Sequence, residues 1–105
     1  MANVASVNDT DFDSEVLNSK TPVVVDFWAE WCGPCKALSP LLENAAANAK
    51  GVKVVKMNIE ENLETPTKFG IRSIPTLMAF KDGQLAGTMV GLRSQAELET
   101  WLGSL

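Results

Sequence analysis

Val23-Val24-Val25-Asp26-Phe27-Trp28 is the stretch that most limits what this chain can become. A continuous run of β-branched and aromatic residues suits a central strand covered on both faces better than a strand with one wet side. Asp26 interrupts the run. Directly after it, in Trp31-Cys32-Gly33-Pro34-Cys35-Lys36, come the only two cysteines of the 105 residues. If the chain does chemistry, it does it there.

Elements of both kinds flank this strand. Residues 3–7 are short and β-compatible, and Asn8-Asp9-Thr10-Asp11 offers helix-capping side chains. Thr10 with Asp13 resembles a capping box, and Phe12, Val16 and Leu17 recur at helical spacing, so the pattern predicts a helix over 9–18, closed by Asn18-Ser19 and Pro22. Beyond the cysteines, Leu38, Leu41, Leu42, Ala45, Ala46 and Ala49 continue at helical spacing with Gly51 as the stop. Pro40 lies inside that helix and predicts a kink there. Residues 52–59 read as an interior strand with Lys56 among its apolar residues, and the second part of 60–69 as a short helix with Pro66 near its first turn and Gly70 as its stop.

Ile74-Pro75 then precedes a strand over 76–80, and Asp82-Gly83 is a two-residue hairpin signal leading to an antiparallel partner over 85–90. Ser94 with Glu97 forms a capping box before Leu98, Trp101 and Leu102, which predicts a closing amphipathic helix. The order β-α-β-α-β-α-β-β-α describes an α/β fold: one mixed central sheet with helices on both faces. Its length fits a single domain over 1–105, burying about 60 to 70% of the unfolded surface. Ligand sites in such sheets are expected outside the carboxyl ends of the strands, where the cysteines fall.

Composition excludes several functions. The formal net charge is -4 and the nine Lys and Arg residues are scattered, so nucleic acid has no electrostatic footprint. No apolar run approaches a membrane span, and Met1-Ala2-Asn3-Val4-Ala5-Ser6 lacks a basic n-region and an apolar h-region. The expected compartment is therefore cytoplasmic. In that reducing setting a C-x-x-C pair points to redox chemistry or metal binding before a permanent staple.

A dithiol that reduces another protein's disulfide needs one exposed thiolate to attack and a second thiol to release the mixed disulfide. At the start of a helix, unpaired N–H groups and the helix dipole favour the anionic form of Cys32, while Cys35, one turn inside, is shielded. Cys32 is thus the attacker and Cys35 the resolver. Pro34 stiffens the first helical turn and Gly33 allows close backbone approach. A structural disulfide would close too short a loop to gain much, and zinc would lack ligands in a chain without histidine or a second cysteine pair.

Asp26, if buried within its strand, should have a raised pKa and exchange a proton with Cys35, with Lys56 opposing the shift; the alternative is that Asp26 points to a solvated strand end. Pro75 by itself reads as a trans proline opening a strand. In a cis form it would present a backbone edge to a substrate segment.

Residues 25–36, together with Phe69-Gly70-Ile71-Arg72-Ser73-Ile74-Pro75-Thr76-Leu77, Phe80-Lys81-Asp82-Gly83 and Val90-Gly91, resemble the thioredoxin family in order and over the whole chain. That resemblance implies a general protein-disulfide reductase that acts on disulfide-containing proteins, holds no cofactor, and is recycled by a flavoprotein thioredoxin reductase; a monomer is expected. It also implies a cis Pro75 facing the cysteines, an apolar docking surface of Trp31, Gly33, Pro34, Ile74, Pro75 and Gly91, and modulation of the Cys35 proton by Asp26 with Lys56. Leu63, Pro66 and Phe69 depart from the commoner family pattern and blur the third helix. Two rivals remain: a disulfide oxidase or isomerase on the same fold, and a binding subunit whose thiols are spectators. Gly-Pro between the cysteines and the absence of histidine there favour the reductase.

Overall fold

The apolar run becomes the middle of the molecule. In the computed structural model, which describes residues 4–105, Val23–Trp28 is β2 and lies at the centre of a five-stranded sheet. The other strands are β1 (Ala5–Ser6), β3 (Lys53–Asn58), β4 (Thr76–Lys81) and β5 (Gln84–Val90), in the order β1-β3-β2-β4-β5. β2 pairs parallel with β3 and antiparallel with β4, so the sheet is mixed, as the sequence predicts.

Strand alternation divides the core into two layers. Val24 packs with Val54, Leu77, Leu38, Leu42, Leu98 and Leu102, the last five side chains coming from β4, α1 (Gly33–Asn48) and α3 (Gln95–Gly103). Val23, Val25 and Phe27 point the other way, into a layer with Phe12, Val16, Val55, Met57 and Phe80. Phe12, Phe69 and Phe80 meet there at centroid distances of 5.2 to 5.7 Å. Asp26 has the parity of Val24 and therefore lies on the α1 side.

Several boundaries differ from expectation. Instead of one α-helix over 9–18 there is a 3-10 turn, Asp9–Asp11, followed by a π turn, Asp13–Leu17, in which the Asn18 N–H donates to the Asp13 carbonyl at 2.9 Å. The cap forms two residues earlier than predicted, with the Asn8 N–H donating to Asp11 Oδ1 at 2.6 Å. A tertiary demand accounts for the displacement: the Asp9 carboxylate accepts from the N–H groups of Thr65 (2.9 Å) and Glu64 (3.1 Å), capping α2 (Glu64–Lys68). Those bonds hold the Asp9 pKa below the usual carboxylate range, against the opposing effect of burial. Residue 3 of the predicted first strand lies outside the described residues.

α1 runs through Pro40 without interruption and ends at Asn48, where Ala49 turns extended; Gly51, at φ +74°, serves the turn into β3 instead of stopping the helix. α2 is a short helix containing Pro66, and Gly70 follows at φ +66°. Asp82 and Gly83 both have positive φ, 53° and 79°, as a two-residue hairpin turn requires. One residue of β5, Ala86, has no partner, because pairing shifts between Ala79 with Gly87 and Phe80 with Leu85. The Ser94 and Glu97 capping box closes in both directions at 3.1 and 3.0 Å. No helix among the described residues is long and apolar enough to cross a membrane.

Candidate active site

β2 ends at Trp28 and α1 begins at Gly33, which leaves Cys32 at the N-cap. Its extended backbone (φ -88°, ψ 107°) turns the sulfur back over the first helical turn, where Sγ accepts the Cys35 N–H at 3.1 Å. Proline at the second helical position is tolerated because its missing N–H would have no partner there. An N–H and the positive end of a 16-residue helix thus face the sulfur that must carry negative charge. Cys32 and Cys35 are joined by a disulfide, with Cα atoms 5.2 Å apart.

Exposure does not separate the two cysteines as expected. Cys32 is 5% and Cys35 3% exposed, because both pack with Ala29 against Trp28, Ile59 and Ile74. What distinguishes Cys32 is its rim: Trp31, 64% exposed, stands on one side and the exposed Gly33 and Pro34 on the other. Cys32 Sγ also lies 3.7 Å from the Ile74 carbonyl oxygen.

The Ile74-Pro75 bond is cis, in agreement with the resemblance and not with the trans form that the proline alone suggests. The Gly91 N–H donates to the Pro75 carbonyl at 2.9 Å, which ties the end of β5 to this loop. Two segments of the chain therefore meet beside Cys32: the Ile74-Pro75 loop, whose Ile74 touches it, and Gly91, which is tied to that loop. Pro75 itself is buried, while Ile74 and Gly91 are half-buried.

Behind Cys35 is the second half of the site. Asp26 is 5% exposed, which excludes the solvated strand end. Its partner across the parallel pair is Lys56, residue against residue. Burial pushes the Asp26 carboxyl up to about 7, and the Lys56 ammonium pulls it partly back. Lys56 also sits over the Trp28 ring, its Nζ 5.2 Å from the centroid. Asp26, Trp28, Cys35, Lys36, Ser39 and Lys56 line one cavity of about 90 Å3 between β2, β3 and α1.

Trp28, Lys36 and Ser39 are the lining residues to which the sequence assigns no role, although Trp28 and Ser39 each have a signal. Trp28 stands two residues after Asp26 and so projects on the same face of β2. Ser39 stands four residues after Cys35, one helical turn along the same stripe.

A dithiol at a helix start, an adjoining cis-proline loop and a buried acid behind the inner sulfur make a site for thiol-disulfide exchange. Comparison with known proteins agrees. The thioredoxin family model matches residues 3–104. A thioredoxin of Rickettsia felis is 52% identical over 103 residues, covering 97% of this chain and 96% of its own length. The thioredoxin of Haemophilus influenzae is 48% identical with the same coverage, and that of Pseudomonas aeruginosa 49% identical over 94% of this chain and 93% of its own length. Site and relatives together make this chain a member of the thioredoxin family, a protein-disulfide oxidoreductase whose redox pair is Cys32 and Cys35.

Proposed function

We propose that Cys32 is the attacking sulfur of this dithiol-disulfide reductase, Cys35 the resolving one and Asp26 the base that serves Cys35. The observation that carries the assignment is the Cys35 N–H bond to Cys32 Sγ at the start of α1, with the Asp26 cavity behind the other sulfur. In the reduced protein the Cys32 thiolate attacks one sulfur of a substrate disulfide, forming a mixed disulfide and releasing the other sulfur as a thiolate. Asp26 takes the Cys35 proton. The Cys35 thiolate then attacks Cys32 Sγ, which closes the Cys32-Cys35 bond and releases the reduced substrate.

Trp31, Gly33, Pro34, Ile74, Pro75 and Gly91 are the docking surface in this reading, and the backbone beside the cis-proline pairs with an extended substrate segment. Lys56 limits how far burial raises the Asp26 pKa. Disulfide-containing proteins are the targets, and a flavoprotein thioredoxin reductase returns the electrons. The protein works in the cytoplasm as a monomer, with residues 1–105 as one domain and no cofactor of its own.

Reduction of a model protein disulfide by wild type, Cys32→Ser and Cys35→Ser, with mixed disulfides identified by mass spectrometry, tests the roles. Cys35→Ser should accumulate substrate on Cys32 and Cys32→Ser should accumulate none; a trap through Cys35 would reverse the assignment.

A further inference from the structure

Asp26 Oδ1 and Trp28 Nε1 are both buried and have no hydrogen-bond partner within the protein. The first is an acceptor and the second a donor, and they line the same cavity. Buried polar atoms are rarely left unpaired. A cavity of about 90 Å3 that carries an unpaired donor and an unpaired acceptor on its wall has room for a water able to accept from the one and donate to the other.

Ser39 contributes the one hydroxyl of the lining, and it is exposed where Asp26 is not, so it stands at the mouth. Pro40 has no N–H, which deprives the carbonyl of Lys36, another lining residue, of its usual helical donor. The charged and titratable groups around Asp26 are Lys56 from β3 and Cys35 and Lys36 from α1; β4 offers the apolar Leu77.

We propose that Ser39 is a positioning residue for the Asp26 proton: its hydroxyl anchors cavity water that hydrogen-bonds the carboxylate and connects the buried acid to solvent. This rests on the reading of Asp26 as the base for Cys35. The Cys35 S–H gives its proton to the carboxylate, and the thiolate so formed attacks Cys32 Sγ. The bond between Cys32 and the substrate sulfur breaks, its electron pair leaving with the substrate thiolate as the Cys32-Cys35 bond forms. Asp26 then returns its proton to solvent through the water held by Ser39. Ser39 touches no reacting sulfur.

The test is a carbon-13 NMR titration of the Asp26 carboxyl in the oxidised protein, alongside the pH profile of mixed-disulfide release. Wild type, Ser39→Ala, Ser39→Val and Ser39→Thr are compared, with Asp26→Asn as control. Losing a hydrogen bond to the charged form raises the midpoint. Ser39→Ala and Ser39→Val should each move both curves up by about half a pH unit, slowing release about threefold below the midpoint, while Ser39→Thr keeps the wild-type curves. Coincident curves for Ala, Val and wild type, or a Thr variant displaced as far as Val, overturn the proposal. An Asp26→Asn release profile identical to wild type removes Asp26 as the base, and the NMR titration still judges Ser39 separately.

Discussion

Asp26 is destabilising where it is useful. Its carboxyl titrates near 7 in the folded protein, because burial opposes the charge, against an ordinary value of 3.8. A raised acid binds more protons folded than unfolded between those two values, so its favourable contribution is complete below about pH 4 and lost as pH rises through about 7. The slope is about 1.4 kcal/mol of stability lost per pH unit within that window. Asp26→Asn cannot ionise. Urea unfolding at pH 5 to 8 should show wild type losing stability with pH and the Asn variant staying flat over the same range. Parallel curves for the two proteins would mean that Asp26 is not held neutral by burial.

At the scale of elements, the Asp82-Gly83 turn shows how firmly a local signal can set a structure. Gly83 has φ +79°, and a Cβ there would stand 3.2 Å from the Leu17 carbonyl oxygen. Both the left-handed backbone and the contact oppose a side chain, so Gly83→Ala should cost about 1 to 2 kcal/mol in urea unfolding, with the active site unaffected in disulfide reduction. Signals of this kind explain what was legible. The hairpin, the Ser94 cap and the buried β2 are dictated by residues next to one another, and structure follows them. The first helical segment departs from its periodic pattern because its decisive bonds run from Asp9 to Thr65 and Glu64, across 56 and 55 positions, which no local pattern displays. The site divides in the same way. The cysteines and Asp26 announce themselves, and the resemblance supplies the cis Pro75, but the near-equal burial of the two cysteines depends on Ile59 and Ile74 arriving from elsewhere in the chain.

For the whole molecule, the decisive fact is that two apolar layers share one sheet. β2 contributes Val24 to the layer under α1 and α3, and Val23, Val25 and Phe27 to the opposite one. Neither layer can lose its order without uncovering a face of the strand that the other needs, so the two should unfold together despite having separate helices. Leu98, fully buried on α3, and Phe12, 3% exposed on the N-terminal segment, probe one layer each. Leu98→Ala should cost about 2 to 5 kcal/mol and Phe12→Ala about 3 to 5 kcal/mol. In urea each variant should give a single transition with an unchanged slope and a lower midpoint, because the surface exposed on unfolding is still that of the entire chain. Helical circular dichroism and tryptophan fluorescence should move together in both. Separate transitions by the two probes, or a reduced slope in one variant only, would show that the layers are independent and that β2 does not couple them.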